Sequence, residues 1–189
     1  MSSHHIVREK QEPALLALSL TDFSFEHLGQ LLEWSPTVIA TDDTFHYFTA
    51  NDIKVDWLIT SEEADQSQRN IRVIARDADP LNDALSILVQ EGYPAVNIVT
   101  DEMPLLQAYA AYLSQINLVF YTSTEKIYPV KPGFEKWKAA GEMIRLLSPV
   151  DNLVVSGLKK IDEDHYQTVA DGFFSLNFSA EFIFIAEKI

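Results

Sequence analysis

The 189 residues are 47% hydrophobic and 22% charged, a balance that predicts a packed globular protein and excludes a collagen-like, coiled-coil or disordered chain. Fourteen basic residues against 28 acidic ones leave a formal charge of -14, which repels phosphate backbones and anionic lipid heads, so neither nucleic acid nor a membrane is an expected partner. The absence of cysteine excludes disulfides, thiolate catalysis and cysteine-held zinc or iron–sulfur clusters, leaving oxygen and imidazole as the metal ligands.

Residues 1–10 are polar, include His4, His5 and Arg8, and have no apolar centre, so no secretory signal is expected and the cytoplasm is the expected compartment. The apolar run 14–18 is too short to span a bilayer. From 14 to about 122, short apolar runs alternate with amphipathic stretches, the pattern of interleaved strands and helices. Strands are predicted at 14–20, 37–41, 56–60, 71–75, 95–100 and 117–121. Several are apolar on both faces, as in a parallel sheet covered by helices. Asp22 or Ser24 can cap a helix carrying Phe25, Leu28, Leu31 and Leu32, with Pro36 beyond its end. A second helix, 81–90, stacks Leu81, Leu85 and Leu88 and is stopped by Gly92 and Pro94. A third is predicted over 105–114.

After Lys126 the pattern changes to β-rich runs at 126–130, 142–147, 153–156, 166–170 and 181–186, separated by Pro132-Gly133, Ser148-Pro149 and Asp171-Gly172. The expected architecture is an α/β domain over 12–123, with a Rossmann-like parallel sheet and flanking helices, followed by an all-β sandwich or barrel over 124–189. Trp137 falls in a mixed charged stretch read as a loop. The five histidines show no ligand spacing, so zinc is not expected.

Several segments, in order, carry motifs of one known family. The stretch from Thr37 through Asp42-Asp43-Thr44 is similar to a family strand ending in Ala-Asp-Gly-Gly-Ala, with Asp42 on its Asp. The segment Asn51-Asp52-Ile53-Lys54-Val55-Asp56 is similar to Gly-Ile-Lys-Pro-Asp, with Asp56 on its Asp. The run Asp77-Ala78-Asp79-Pro80-Leu81-Asn82-Asp83 resembles the Asp-Lys-Asp-x-Thr-Asp motif that opens a helix. In the β half, Ile144 to Pro149 is similar to Ile-Ser-Leu-x-Pro, Gly157-Leu158-Lys159 matches Gly-Leu-Lys, and Gly172 to Asn177 resembles a closing Ser-x-Ser-Asn. Together these segments resemble the thiamine pyrophosphokinase family, and the resemblance implies a homodimer in which the α/β domain holds Mg-ATP and the β domain helps to bind thiamine near the subunit interface. The implied reaction transfers a pyrophosphoryl group from ATP to the thiamine hydroxyl, giving thiamine diphosphate and AMP. Carried over residue by residue, it points to Asp42, Asp77 and Asp79 for catalysis, to Asp42, Asp56, Glu63 and Asp77 for magnesium, and to Lys159, Ser175 and Asn177 for the substrate.

The departures from the pattern fall on the chemistry. Asp43 and Thr44 replace the two glycines whose lack of a Cβ lets backbone approach phosphate. The run Thr60-Ser61-Glu62-Glu63-Ala64 replaces Gly-Asp-Phe-Asp-Ser, so one metal-binding Asp becomes Ser61 and the other the longer Glu63; magnesium's strict octahedron tolerates such a displacement poorly. The run Thr100-Asp101-Glu102-Met103 stands where Gly-Gly-Arg-x-Asp-His is expected and has neither the Arg nor the Asp-His pair. Asp42 also reads as a helix cap, Asp77 and Asp79 as a turn before Pro80, and Asp101-Glu102 as an exposed turn. Three functions stay open: a kinase with repositioned carboxylates, using magnesium and ATP; a protein that binds thiamine or a related small molecule without transfer; and a dimeric structural or regulatory protein.

Overall fold

A computed structural model of the chain describes residues 10, 12–61, 71–77 and 79–189. Glu63, one of the expected metal ligands, lies outside the described residues. The chain divides into two compact units, the first ending at Ser123 and the second spanning Thr124–Ile189.

The first unit is α/β. Strands β1 (Ala14–Ala17) and β2 (Val38–Thr41) are buried at every position, which explains why they contain only small or aliphatic residues apart from the terminal Thr41. They lie at the centre of a parallel sheet with β3 (Trp57–Thr60), β4 (Arg72–Ala75), β5 (Ala95–Val99) and β6 (Asn117–Tyr121), in the order β6-β5-β1-β2-β3-β4. Every pairing between neighbours in this series is parallel. Strand β4 buries only Ile74 and carries Arg72 at the sheet's end, a charged edge of the kind that discourages pairing with other chains.

Helix α1 (Phe25–Leu32) starts at Ser24, whose hydroxyl accepts the His27 N–H, and buries Leu28. Helix α2 (Asp42–Ala50) follows β2 without a loop. Helix α3 (Pro80–Gln90) buries Leu81, Ala84, Leu85 and Leu88 on one stripe, the three leucines each contributing roughly 1.5–3 kcal/mol. It ends before Gly92, whose φ of +76° is the left-handed conformation that suits glycine after a helix. Residues Leu106–Ser114 form a 3-10 helix. With about three residues per turn, Tyr109 and Tyr112 share one face. Tyr112 Oη lies within hydrogen-bond distance of Asn82 and Ser86 on α3, and Tyr109 Oη donates to Asp79 just before it. Among the described residues no helix is long and apolar enough to cross a membrane.

The second unit is a β-sandwich. One sheet is antiparallel with strand order β11-β12-β9-β14-β7, made of β7 (Glu125–Val130), β9 (Met143–Leu146), β11 (Leu158–Lys160), β12 (His165–Thr168) and β14 (Ile183–Lys188). The other has the order β10-β13-β8, from β8 (Phe134–Lys138), β10 (Val154–Ser156) and β13 (Gly172–Asn177). Ile144, Leu146, Tyr166, Phe174, Leu176 and Ile185 pack between them. The α/β-then-β architecture is the one the sequence pattern predicts. Trp137 lies on β8 and not in a loop, and β8, β11 and β13 are strands that the pattern does not announce. The chain leaves β10 in one sheet and enters β11 in the other at Gly157, where φ is +72° and an added Cβ would stand 2.7 Å from the Phe173 carbonyl oxygen. Only glycine fits there.

Candidate functional site

In an open α/β sheet, ligands bind beyond the carboxyl ends of the strands, at the point where the strand order reverses. The chain runs outward through β1, β2, β3 and β4, then crosses back to place β5 on the other side of β1, so the reversal lies between β1 and β5. The loops that follow β1 and β5 therefore form the candidate site.

At that crevice Asp101, two residues past β5, turns its carboxylate onto the loop after β1. Oδ2 accepts the N–H of Thr21 at 2.9 Å and Oδ1 that of Asp22 at 3.2 Å. The loop replies through Ser19, whose Oγ accepts the Asp101 N–H at 2.6 Å. Burial alone pushes the Asp101 carboxyl up; the N–H groups of Thr21 and Asp22 and the Ser19 hydroxyl outweigh it and hold the group below its ordinary 3.8. It is a carboxylate at neutral pH.

The neighbouring gap, between β1 and β2, is closed by Thr44. Its Oγ1 donates to the Ala17 carbonyl at 2.9 Å and accepts the Thr41 N–H at 3.0 Å, and the residue is 1% exposed. Thr41 and Thr44 together make a capping box at the start of α2. Asp42 is the first residue of that helix, exposed, with Oδ2 taking the Ser61 N–H from beyond β3 at 3.3 Å.

Asp77 and Asp79 follow β4. Asp79 is the N-cap of α3: Oδ1 accepts the Leu81 N–H at 3.0 Å, and Oδ2 accepts the Tyr109 hydroxyl at 2.7 Å. Burial, then the Asp79 carboxylate, push the Tyr109 phenol far up, so it stays a donor. Asp77 is exposed, and its N–H goes to Asp83 Oδ2 at 3.0 Å. Asp56 stands at the other end of β3. Its Oδ2 accepts the Val38 N–H at 3.0 Å where β2 begins, and its Oδ1 pairs with Lys54. Asp56 and Ser61 flank the four residues of β3 and lie five steps of about 3.3 Å apart, about 16 Å, which separates Asp56 from Asp42 as well. The structure therefore does not bring Asp56 together with Asp42, because the strand holds them at opposite ends. A cavity of about 700 Å³ opens at this amino end, lined by Trp34, Trp57, Tyr93, Lys54 and Asp56. Its position is opposite to the edge where sheets of this topology bind ligands.

Magnesium bridged to a nucleotide needs carboxylate oxygens that converge and are free to ligate. Among the described residues, the only group of three candidate ligands within 4.8 Å of one another is Asp162 and Asp164, in the turn between β11 and β12, with His165, the first residue of β12. Three carboxylates of the α/β unit are committed elsewhere: Asp79 and Asp101 spend both oxygens on hydrogen bonds, and Asp56 faces the other end. Asp42 and Asp77 are exposed and, among the described residues, belong to no group of three such ligands within 4.8 Å of one another.

In the second unit, alternation along β13 sends Phe174 and Leu176 inward and Phe173, Ser175 and Asn177 outward. The register sets Trp137 opposite Phe173, Glu135 and Ser156 opposite Ser175, and Val154 opposite Asn177. This outer face leaves Phe173 70%, Val154 65% and Trp137 56% exposed. Lys159 is on β11, in the other sheet, and exposed. The structure thus puts Ser175 and Asn177 on one face and Lys159 on a different sheet.

No protein-family model and no curated protein matches the chain. Solved structures do. Yeast thiamin pyrophosphokinase superposes with a TM-score of 0.70 at 9% identity, covering 98% of this chain and 88% of that one. The thiamin pyrophosphokinase of Candida albicans gives 0.68 at 10%, covering 94% and 89%. The Bacillus subtilis enzyme gives 0.65 at 12%, covering 94% and 99%. The chain has the thiamine pyrophosphokinase fold. Identities of this size carry the architecture and not the chemistry. Within the thiamine pyrophosphokinase fold, the feature that motif comparison does not reveal is the double closure of the carboxyl edge by Thr44 and Asp101. Asp101 reads locally as a turn residue. Its partners lie 79 to 82 positions away, and only the adjacency of β1 and β5 brings them together.

Proposed function

We propose that this is a thiamine pyrophosphokinase-like protein that has lost or altered pyrophosphoryl transfer and binds thiamine or a related small molecule as a homodimer in the cytoplasm. The observation that carries the proposal is the closure of the carboxyl edge. Phosphoryl transfer is catalysed by positioning and by charge stabilisation, which require backbone donors and metal ions aimed at the phosphates. Here the donors beyond β1 face a carboxylate, the gap beside β2 is filled by a threonine, Asp79 caps α3 and Asp56 pins the start of β2. What supports a retained small-molecule site is the outer face of the three-stranded sheet, where Ser175 and Asn177 stand beside Trp137 and Phe173. Two exposed aromatics paired across strands favour burial against another surface, and a second copy of the chain is the partner that the sequence resemblance implies.

The test is purified protein with magnesium, ATP and thiamine. Thiamine is expected to raise the melting temperature without ATP, since a ligand that binds only the folded state stabilises it. No thiamine diphosphate is expected to form. Production of thiamine diphosphate at ordinary enzyme rates, on the order of 1 per second or faster, would overturn the proposal. In sedimentation, a dimer that dissociates on Phe173→Glu is expected; a wild-type monomer removes the homodimer from the reading.

A further inference from the structure

Two successive backbone N–H groups aimed at one point form a concavity for an anion, because each carries a partial positive charge and neither has an internal partner. The loop after β1 offers such a pair at Thr21 and Asp22, at the crevice where open α/β sheets take their ligands. The two oxygens of Asp101 fill it one to one, as two oxygens of a phosphate would. The hydrogen bond from the Asp101 N–H to Ser19 Oγ ties the two loops in the opposite sense, so the carboxylate is held in place. Two hydrogen bonds to a charged acceptor are strong ones. A phosphate approaching these donors meets both an occupied acceptor position and a like charge.

We infer that Asp101 is a specificity-determining residue, an internal anion that occupies the phosphate-accepting donors of Thr21 and Asp22 and thereby excludes pyrophosphate-bearing ligands from the crevice between β1 and β5. The inference rests on the reading that the protein does not transfer pyrophosphate, and it names the residue that blocks the donor. Asp101→Gly removes the internal anion and leaves the two N–H groups exposed to solvent and ligand. Asp101→Asn keeps the size, removes the charge and leaves one oxygen to accept one of the two N–H groups.

The probe is inorganic pyrophosphate, titrated into full-length protein by calorimetry and followed through the backbone amide resonances of Thr21 and Asp22. The wild type is expected to leave both resonances in place. In Asp101→Gly both move with saturation, and the affinity is expected to rise by about tenfold or more, the change produced by one good hydrogen bond to a charged group. Asp101→Asn is expected to fall between the two, and it decides the matter should the glycine variant fail to fold. Equal pyrophosphate affinity in the wild type and in a folded variant, or saturable movement of the two resonances in the wild type, overturns the inference. A wild type that makes no thiamine diphosphate yet binds pyrophosphate at these amides sinks this inference and spares the proposed function. A wild type that makes thiamine diphosphate sinks the proposed function and, with it, this inference.

Discussion

Thr44 shows how a single side chain changes what an edge can do. The resemblance places a glycine there, and glycine would leave the β1–β2 gap open to a ligand. Threonine instead supplies one hydroxyl that is both donor to Ala17 and acceptor from Thr41, in a site with almost no solvent. Removing that hydroxyl without changing the shape leaves a buried carbonyl and a buried N–H without their partner, which costs the desolvation of each and not merely one bond. Thr44→Val is therefore expected to lower stability by about 2 kcal/mol, read as a fall in the urea midpoint at unchanged slope. Thr44→Ser, which keeps the oxygen, is expected to lose less than half as much. A valine variant as stable as the wild type would show that the box at the start of α2 contributes nothing to the fold.

Among elements, α3 is the one whose limits are most readable from the chain, because Asp79-Pro80 at its start and Gly92-Tyr93-Pro94 after its end are local signals. The 3-10 conformation of Leu106–Ser114 has no such local signal; what accompanies it is distant, the hydrogen bonds of two tyrosines to α3 and to the residue before it. The same boundary between local and distant causes divides the strands. β1, β2 and β5 are runs of apolar residues that announce themselves. In β8 the expected polarity is inverted: Lys136 and Lys138 turn inward to Glu187, while Trp137 faces out, so the sequence reads as a loop. At the site, the motif positions and the lost glycines are legible, and the hydrogen bonds of Asp101 are not, because strand order decides them. The link between Asp79 and Tyr109 offers a test of how α3 is anchored. Asp79→Ala removes the cap and is expected to cost about 1 kcal/mol. Tyr109→Phe removes the other hydrogen bond to the same carboxylate and is expected to cost about as much. The double variant should cost less than the sum, because both changes delete one shared interaction. Strict additivity in urea unfolding would mean that the tyrosine does not support the cap.

For the molecule as a whole, a formal charge of -14 means that the surface repels itself, and added salt is expected to stabilise the protein by screening that repulsion. One acidic group should escape this rule. The Glu187 side chain is 5% exposed; it accepts Lys136 at 2.6 Å and the Tyr128 hydroxyl at 2.6 Å, and pairs with Lys138 at 3.1 Å. Strand β14 thereby bridges to β8 in the opposite sheet. Burial pushes the Glu187 carboxyl up, and the hydrogen bonds from Lys136 and Tyr128, with the charge of Lys136 and the bond from Lys138, more than reverse it, so it titrates below its ordinary 4.5. The sign follows from linkage. A carboxyl whose folded pKa lies below the unfolded one contributes stability that is fully present above about 4.5 and is lost as the pH falls through the depressed folded value. Glu187→Gln deletes that charge at every pH and leaves Lys136 with only the Tyr128 hydroxyl and Lys138 with only the more distant Glu142, at an expected cost of about 3 kcal/mol near neutrality. The gap between wild type and variant should respond only weakly to salt, since the Glu187 carboxylate is buried, and should close as the pH is lowered below 4.5. Urea unfolding of both proteins across pH and salt measures it. A gap that vanishes in high salt at neutral pH would make Glu187 an ordinary surface charge, and one that persists unchanged into strong acid would remove its ionisation from the account.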